Sequence, residues 1–84
     1  MNKEEMTLEL DKLLVEYDNA EDKLPIMIKL GELKMKDKIL FIEIAQNSME
    51  FEKRSESIRD SLLDDDFSEK YRDKMKELFP EKEE

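Results

Sequence analysis

The sequence lacks the two side chains that most often carry chemistry in small proteins. There is no cysteine and no histidine among its 84 residues. Without cysteine the chain has no disulfide and no thiolate nucleophile. Without histidine it lacks the commonest general base and metal ligand, so Ser55, Ser57 and Ser61 cannot form a Ser–His pair. We therefore expect a protein that is not an enzyme and that binds no cofactor or metal.

Turn-forming residues are also scarce, since the chain has one glycine and two prolines. A glycine-rich phosphate loop is therefore excluded. Abundant Lys, Glu, Leu and Met predict an all-α protein. No run approaches the ~18 apolar residues of a membrane span, and MNKEEMTLEL has no apolar core typical of a secretion signal. We expect a cytoplasmic protein with no membrane partner.

Acidic residues dominate the charge. Charged residues make up 46% of the chain and the formal net charge is −9. This balance argues against direct nucleic-acid binding and is compatible with a basic protein partner, although acidity also simply keeps small proteins in solution. Residues 1–22 carry two lysines against eight acidic side chains, whereas residues 23–38 carry five lysines against two. The opposite net charges of these two segments predict that they pack together as an antiparallel helical hairpin.

The densest apolar segment, Leu24 to Phe51, shows two apolar stripes when it is placed on a helical wheel. The first, continued past Phe51 and with Phe41 at its edge, predicts a core face: Ile26, Leu30, Leu33, Leu40, Ile44, Phe51, Ile58 and Leu62. The second predicts an interface with a partner or a second copy: Ile28, Met35, Ile39, Ile42 and Met49. A helix on the surface of a monomer needs only one stripe, and a core this thin favours self-association, most simply as a dimer.

The run from Ile39 to Ala45 is also compatible with a strand, because it is rich in β-branched and aromatic residues. No Gly, Pro or Asn directly adjoins the run, and the helical stripes continue through it. We therefore predict that it is helical.

The predicted domain is a single small helical bundle over residues 1–84, with a long central helix. Asn2 caps a helix over 3–18 whose core face is Met6, Leu10, Leu13, Leu14 and Tyr17. The central helix covers 23–46 and can continue to 63, with a weak point at Gln46-Asn47-Ser48 and with Gly31 marking a kink or a close helix crossing. A last helix over 67–79 begins at Asp66 with a capping box to Glu69, and residues 80–84 form a frayed tail.

Two further features have a structural and a functional interpretation. Leu8 and Val15 lie away from the core face of the first helix and form either a second contact patch or two ordinary exposed apolar residues. The run DDDFSE at Asp64 to Glu69 has several carboxylates, as hard cations require, but it lacks the spacing and the glycine of a calcium loop. A helix cap is the interpretation that we adopt.

The segment TLELDKLL, from Thr7 to Leu14, is similar to the SQELD signature of the small helical-hairpin phosphatases that act on the sporulation response regulator. Glu9, Leu10, Asp11 and Leu13 match that signature. The resemblance covers about eight residues and implies Asp11 as the functional residue. In that family the motif lies on the second helix of the hairpin, whereas here only MNKEEM precedes it.

These observations predict a non-enzymatic, acidic helical module for protein–protein interaction, such as a small regulator or inhibitor. Its size and acidity resemble those of nuclease-immunity proteins and phage-encoded inhibitors, a similarity of composition alone that suggests a phage or mobile-element protein. A structural or scaffold-like oligomer is the alternative, and the response-regulator phosphatase is a third.

Overall fold

The computed structural model describes residues 1–80, which form five α-helices and no strand. The helices are α1 (Lys3–Asn19), α2 (Leu24–Lys36), α3 (Lys38–Gln46), α4 (Met49–Leu63) and α5 (Asp65–Leu78). The prediction of an all-α protein is confirmed. The run from Ile39 to Ala45 is helical, as predicted, and lies within α3. The predicted frayed tail lies, apart from Pro80, outside the described residues.

The first helix follows its sequence signals closely. The Asn2 side chain accepts a hydrogen bond from the Glu5 N–H at 2.8 Å, and the Glu5 carboxylate accepts one from the Asn2 N–H at 3.1 Å. This capping box satisfies two N–H groups that have no partner within the helix. The predicted core face of α1 is confirmed, since its buried residues are Met6, Leu10, Leu13, Leu14 and Tyr17.

The prediction of a long central helix is wrong, because two breaks divide residues 24–63 into α2, α3 and α4. Asp37 has an extended backbone between α2 and α3, and its carboxylate accepts a hydrogen bond from the Leu40 N–H at 3.1 Å. The second break is at the predicted weak point, where the Ser48 hydroxyl accepts from the Phe51 N–H at 3.1 Å. Both side chains start a new helix by capping it.

The core lies among the first three helices. To the residues of α1 it adds Ile26, Met27, Leu30 and Leu33 from α2 and Phe41 and Ile44 from α3. No residue of α4 or α5 is buried, and these helices contribute half-buried side chains such as Phe51, Ile58 and Tyr71. Leu62, which the first stripe predicts to be in the core, is 39% exposed. The two C-terminal helices therefore cover the core only in part.

The molecule is flat, with principal extents of 34 × 32 × 17 Å. A thickness of 17 Å corresponds to about two layers of helices. In a two-layer structure each helix has one side that no other helix covers, so apolar residues on those sides remain exposed. Helix α5 packs on α2 and α4, and α4 packs also on α1 and α3.

The start of α5 differs from the predicted one by two residues. Asp64, not Asp66, is the N-cap, and its carboxylate accepts a hydrogen bond from the Phe67 N–H at 3.1 Å. Asp65 and Asp66 lie in the first turn, where negative charge is favourable. The acidic run thus begins a helix, and among residues 1–80 no group of three or more acidic side chains is arranged to hold a metal ion.

Candidate functional site

An open groove with a mostly apolar floor lies between α2 and α5, and residues of α3 and of the end of α4 also line it. It has a volume of about 620 Å³. We call it the α2–α5 groove, and its lining residues are Gly31, Lys34, Met35, Lys38, Ile42, Leu62, Ser68, Tyr71, Arg72 and Met75.

Gly31 allows α5 to approach α2 closely at the floor of this groove. A Cβ atom at position 31 would lie 2.7 Å from the Tyr71 hydroxyl oxygen and 2.8 Å from the Met75 Cε. Both distances are shorter than the contact distance of atoms that are not bonded to each other. Any larger residue at position 31 would therefore displace the tips of those two side chains. Of the two interpretations of Gly31 in the sequence, the structure supports the close helix crossing.

Tyr71 forms the apolar part of the floor and is half-buried. Burial raises the pKa of the Tyr71 phenol above its ordinary value of 10.0. The phenol is therefore neutral at physiological pH, and the floor carries no charge of its own.

The rim of the groove, in contrast, is basic. Lys34, Lys38 and Arg72 are exposed, and none of them forms an ion pair with a carboxylate of residues 1–80. Among residues 1–80, no acidic side chain lines the groove. This is a local concentration of positive charge on a chain whose formal net charge is −9.

The basic rim exists because the predicted charge match between the first two helices forms only in part. Lys29 is the one lysine of residues 23–38 that pairs with an acidic side chain of α1, at 3.6 Å from Glu16, within the described part of the chain. Lys34 and Lys38 lie near the end of α2 and at the start of α3, where they line the groove.

The structure brings together only some of the five predicted interface residues. Met35 and Ile42, 40% and 43% exposed, both line the α2–α5 groove. Ile39 is 82% exposed and precedes Ile42 by one turn of α3. Met49 lies in a different depression beside Lys3, and Ile28 is half-buried on α2. The five do not form one stripe, because the break at Asp37 separates α2 from α3.

The second predicted patch is exposed on the outer side of α1. Leu8 is 70% exposed and Val15 is 57% exposed. Neither residue lines the α2–α5 groove. The apolar patch on α1 is therefore separate from the apolar surface between α2 and α5.

The segment that resembles the phosphatase signature lies on α1, the first helix of the described chain. Leu10 and Leu13 are buried in the core, whereas Glu9 and Asp11 are exposed. Asp11 shares a shallow depression with Lys3 and with Glu43 of α3. The position on the first helix, not the second, is where this chain departs from that family.

Sequence reasoning did not identify the part of the groove that α4 and α5 contribute. The helical spacing on α5 does place Tyr71 and Met75 on its apolar face. It does not show that this face meets Gly31, or that Arg72 and Lys34 line the same groove. The one available signal was the single glycine inside a helical pattern, since such a glycine often marks a close contact.

Over residues 1–80 no helix has both the length and the apolar character needed to cross a membrane. Comparisons with protein-family models, with curated proteins and with solved structures give no significant match to this chain.

Proposed function

We propose that this protein is a non-enzymatic protein–protein interaction module, a small acidic helical regulator or inhibitor that binds another protein through the α2–α5 groove. The observation that supports the proposal is an exposed apolar surface on a small protein, made of Met35 and Ile42 in the groove and Ile39 beside it. Contiguous exposed apolar surface with a polar rim is typical of binding sites. Ile28 and Met49 do not line the groove and are not part of the proposed interface.

The groove fits a helix or another protein segment better than a small molecule. Small-molecule pockets enclose most of their ligand, whereas this groove is open to solvent. An amphipathic helix that places its apolar side in a groove is a recurrent mode of recognition, and its polar side then meets the rim. Met35 and Met75 have flexible side chains that adapt to such a partner.

Affinity capture with paired variants tests this function. The double substitution Ile39→Asp and Ile42→Asp places two charges on the proposed interface, and Leu63→Asp is the matched control because Leu63 is 72% exposed and does not line the groove. We expect the wild type and the control to retain the same bound protein and the double variant to lose it. Circular dichroism checks that all three proteins are helical.

Two results would contradict the proposal: a partner retained equally by the double variant, or no partner bound by the wild type. Repeating the capture at low and high salt tests the charge of the partner. The basic rim of the groove favours an acidic segment of the partner, and a contact of this kind is released as salt rises. A basic partner, which the net charge of −9 favours, would have to contact the acidic surface outside the groove.

A structural or assembly role is a second candidate, and the exposed patch on α1 favours it. Leu8 and Val15 give the molecule an apolar surface apart from the groove, so one copy has two surfaces through which it can contact others. Sedimentation at two concentrations tests this role, and a monomer at both would count against it.

A further inference from the structure

We propose that the α2–α5 groove receives the outer side of α1 from a second copy of this chain. The proposal rests on the groove being a protein-binding surface and names the segment that occupies it. Self-association would then join two different surfaces, the groove of one copy and the α1 patch of the next. It would not join two identical surfaces across a two-fold axis.

The apolar parts of the two surfaces correspond. Leu8 and Val15 are seven residues apart, so they lie on the same side of α1 about 10 Å apart along its axis. Both side chains are more than half exposed. The groove offers an apolar floor in which Met35, Ile42 and Met75 can contact them.

The net charges of the two surfaces are opposite. Glu4 precedes Leu8 by one turn of α1, and Asp11 and Lys12 lie between Leu8 and Val15 on the same side of the helix, so the acidic side chains outnumber the lysine. Both acidic residues are exposed, and neither forms an ion pair within residues 1–80. The cations at the rim of the groove, such as Lys38 and Arg72, are unpaired over the same range. Contact between copies would pair the acidic residues of α1 with the cations at the rim of the groove.

The contact has to be intermolecular. The opposite side of α1 is buried in the core through Met6, Leu10 and Leu14, so α1 cannot turn its outer side toward the groove of its own chain. Because the two surfaces differ, the contact is head to tail, and such contacts produce rings or open chains of subunits.

Sedimentation velocity on charge-reversed variants tests the proposal, at about 0.15 M salt, where surface charges act over only ~8 Å. The groove variant is Lys38→Glu with Arg72→Glu, and the α1 variant is Glu4→Lys with Asp11→Lys. All four positions are exposed. The control is Glu56→Lys with Asp60→Lys on α4, which changes the net charge as the α1 variant does at exposed positions that do not line the groove.

We expect the wild type and the control to associate as concentration rises, and each of the other variants alone to associate on the order of tenfold more weakly. An equimolar mixture of the groove and α1 variants should regain the association, because each then meets a surface of opposite charge. If the α1 variant does not fold, Leu8→Lys replaces it. This substitution alters the α1 patch and leaves the groove intact. The Leu8→Lys protein alone should therefore associate weakly. Mixed with the wild type, each Leu8→Lys molecule should form one contact, in which its groove receives the α1 patch of a wild-type molecule.

Several outcomes would overturn the proposal. A wild type that is monomeric at every concentration would overturn it. An α1 variant that associates as strongly as the wild type would also overturn it, because that result would indicate contact between the grooves of two copies. A mixture that stays dissociated, or a control that loses association, would also overturn it. None of these results removes the partner-binding function, which is decided by the capture experiment with Ile39→Asp and Ile42→Asp.

Discussion

Arg54 of α4 holds Asp18 of α1 in a two-point ion pair, although the residues are 36 positions apart in the chain. The Arg54 Nε–H donates to Asp18 Oδ1 at 2.9 Å, and a second guanidinium N–H donates to Oδ2. The same guanidinium donates to Glu50 at 3.3 Å. Nearby, the Tyr17 and Ser57 hydroxyls share a hydrogen bond of 2.7 Å. These contacts attach α4, which has no buried residue of its own, to α1.

This ion pair makes stability depend on pH at acidic values. The hydrogen bond from Arg54 holds the pKa of Asp18 below its ordinary value of 3.8, so the carboxylate is more acidic in the folded chain than in the unfolded chain. The contribution of the pair is complete above the unfolded pKa and is lost as pH falls through the folded pKa. We expect Asp18→Asn to lower the free energy of unfolding by a constant amount above about pH 5 and by a diminishing amount below 3.8.

Urea denaturation of the wild type and Asp18→Asn across this pH range measures the difference. Asp60→Asn is the control, because Asp60 is exposed and forms no ion pair within residues 1–80. A difference between the wild type and Asp18→Asn that stays the same down to the most acidic pH would contradict the assignment.

The core at α1 should be sensitive to truncation at buried positions only. Leu14 is 1% exposed and Leu8, on the same helix, is 70% exposed. We expect Leu14→Ala to lower the free energy of unfolding by about 2–5 kcal/mol, because it removes buried contacts and leaves a cavity. Leu8→Ala should change it by less than about 0.5 kcal/mol. Chemical denaturation in dilute solution compares the two, and similar losses would contradict the packing described for α1.

The N-cap of α5 can be located by two alanine substitutions. Asp64 accepts the hydrogen bond from the Phe67 N–H, whereas Asp66 is in the first turn and pairs with Lys70 at 3.3 Å. We expect Asp64→Ala to lower the free energy of unfolding by about 0.5–2 kcal/mol. Asp66→Ala should have the smaller effect, since exposed ion pairs stabilise weakly. Thermal denaturation followed by circular dichroism measures both, and the reverse order would place the cap at Asp66.

The crossing of α2 and α5 should suppress the usual benefit of replacing a glycine in a helix. Ala is favoured over Gly in a helix interior by about 1 kcal/mol, but a Cβ at Gly31 meets the tips of Tyr71 and Met75. We expect Gly31→Ala to stabilise the wild type by clearly less than that amount. In a Tyr71→Phe, Met75→Ala background, which lacks those atoms, the full benefit should return. A double-mutant cycle in urea measures the coupling, and equal effects in both backgrounds would contradict the close crossing.

Much of the local structure could be predicted from the sequence, because it depends on residues close together in the chain. The capping box of Asn2 and Glu5, the core face of α1 and the end of a helix at Gln46 are of this kind. The break at Asp37 also has a local signal, since Asp is a favoured N-cap. The apolar spacing hides this signal, because it continues through Asp37 as if the helix did. A helical wheel drawn across the break then gives α2 and α3 the wrong relative orientation.

The sequence by itself determined that the chain is helical, which side of α1 is buried, and that more apolar residues are present than a thin core can cover. Only the tertiary structure decided that Met35 and Ile42 share a groove with Tyr71 and Met75, and that Lys34, Lys38 and Arg72 surround it. The physical reason is that helical periodicity is set by neighbours within a few residues. The meeting of α2 with α5 depends instead on how two breaks redirect the chain, and on one glycine that lets distant helices approach each other.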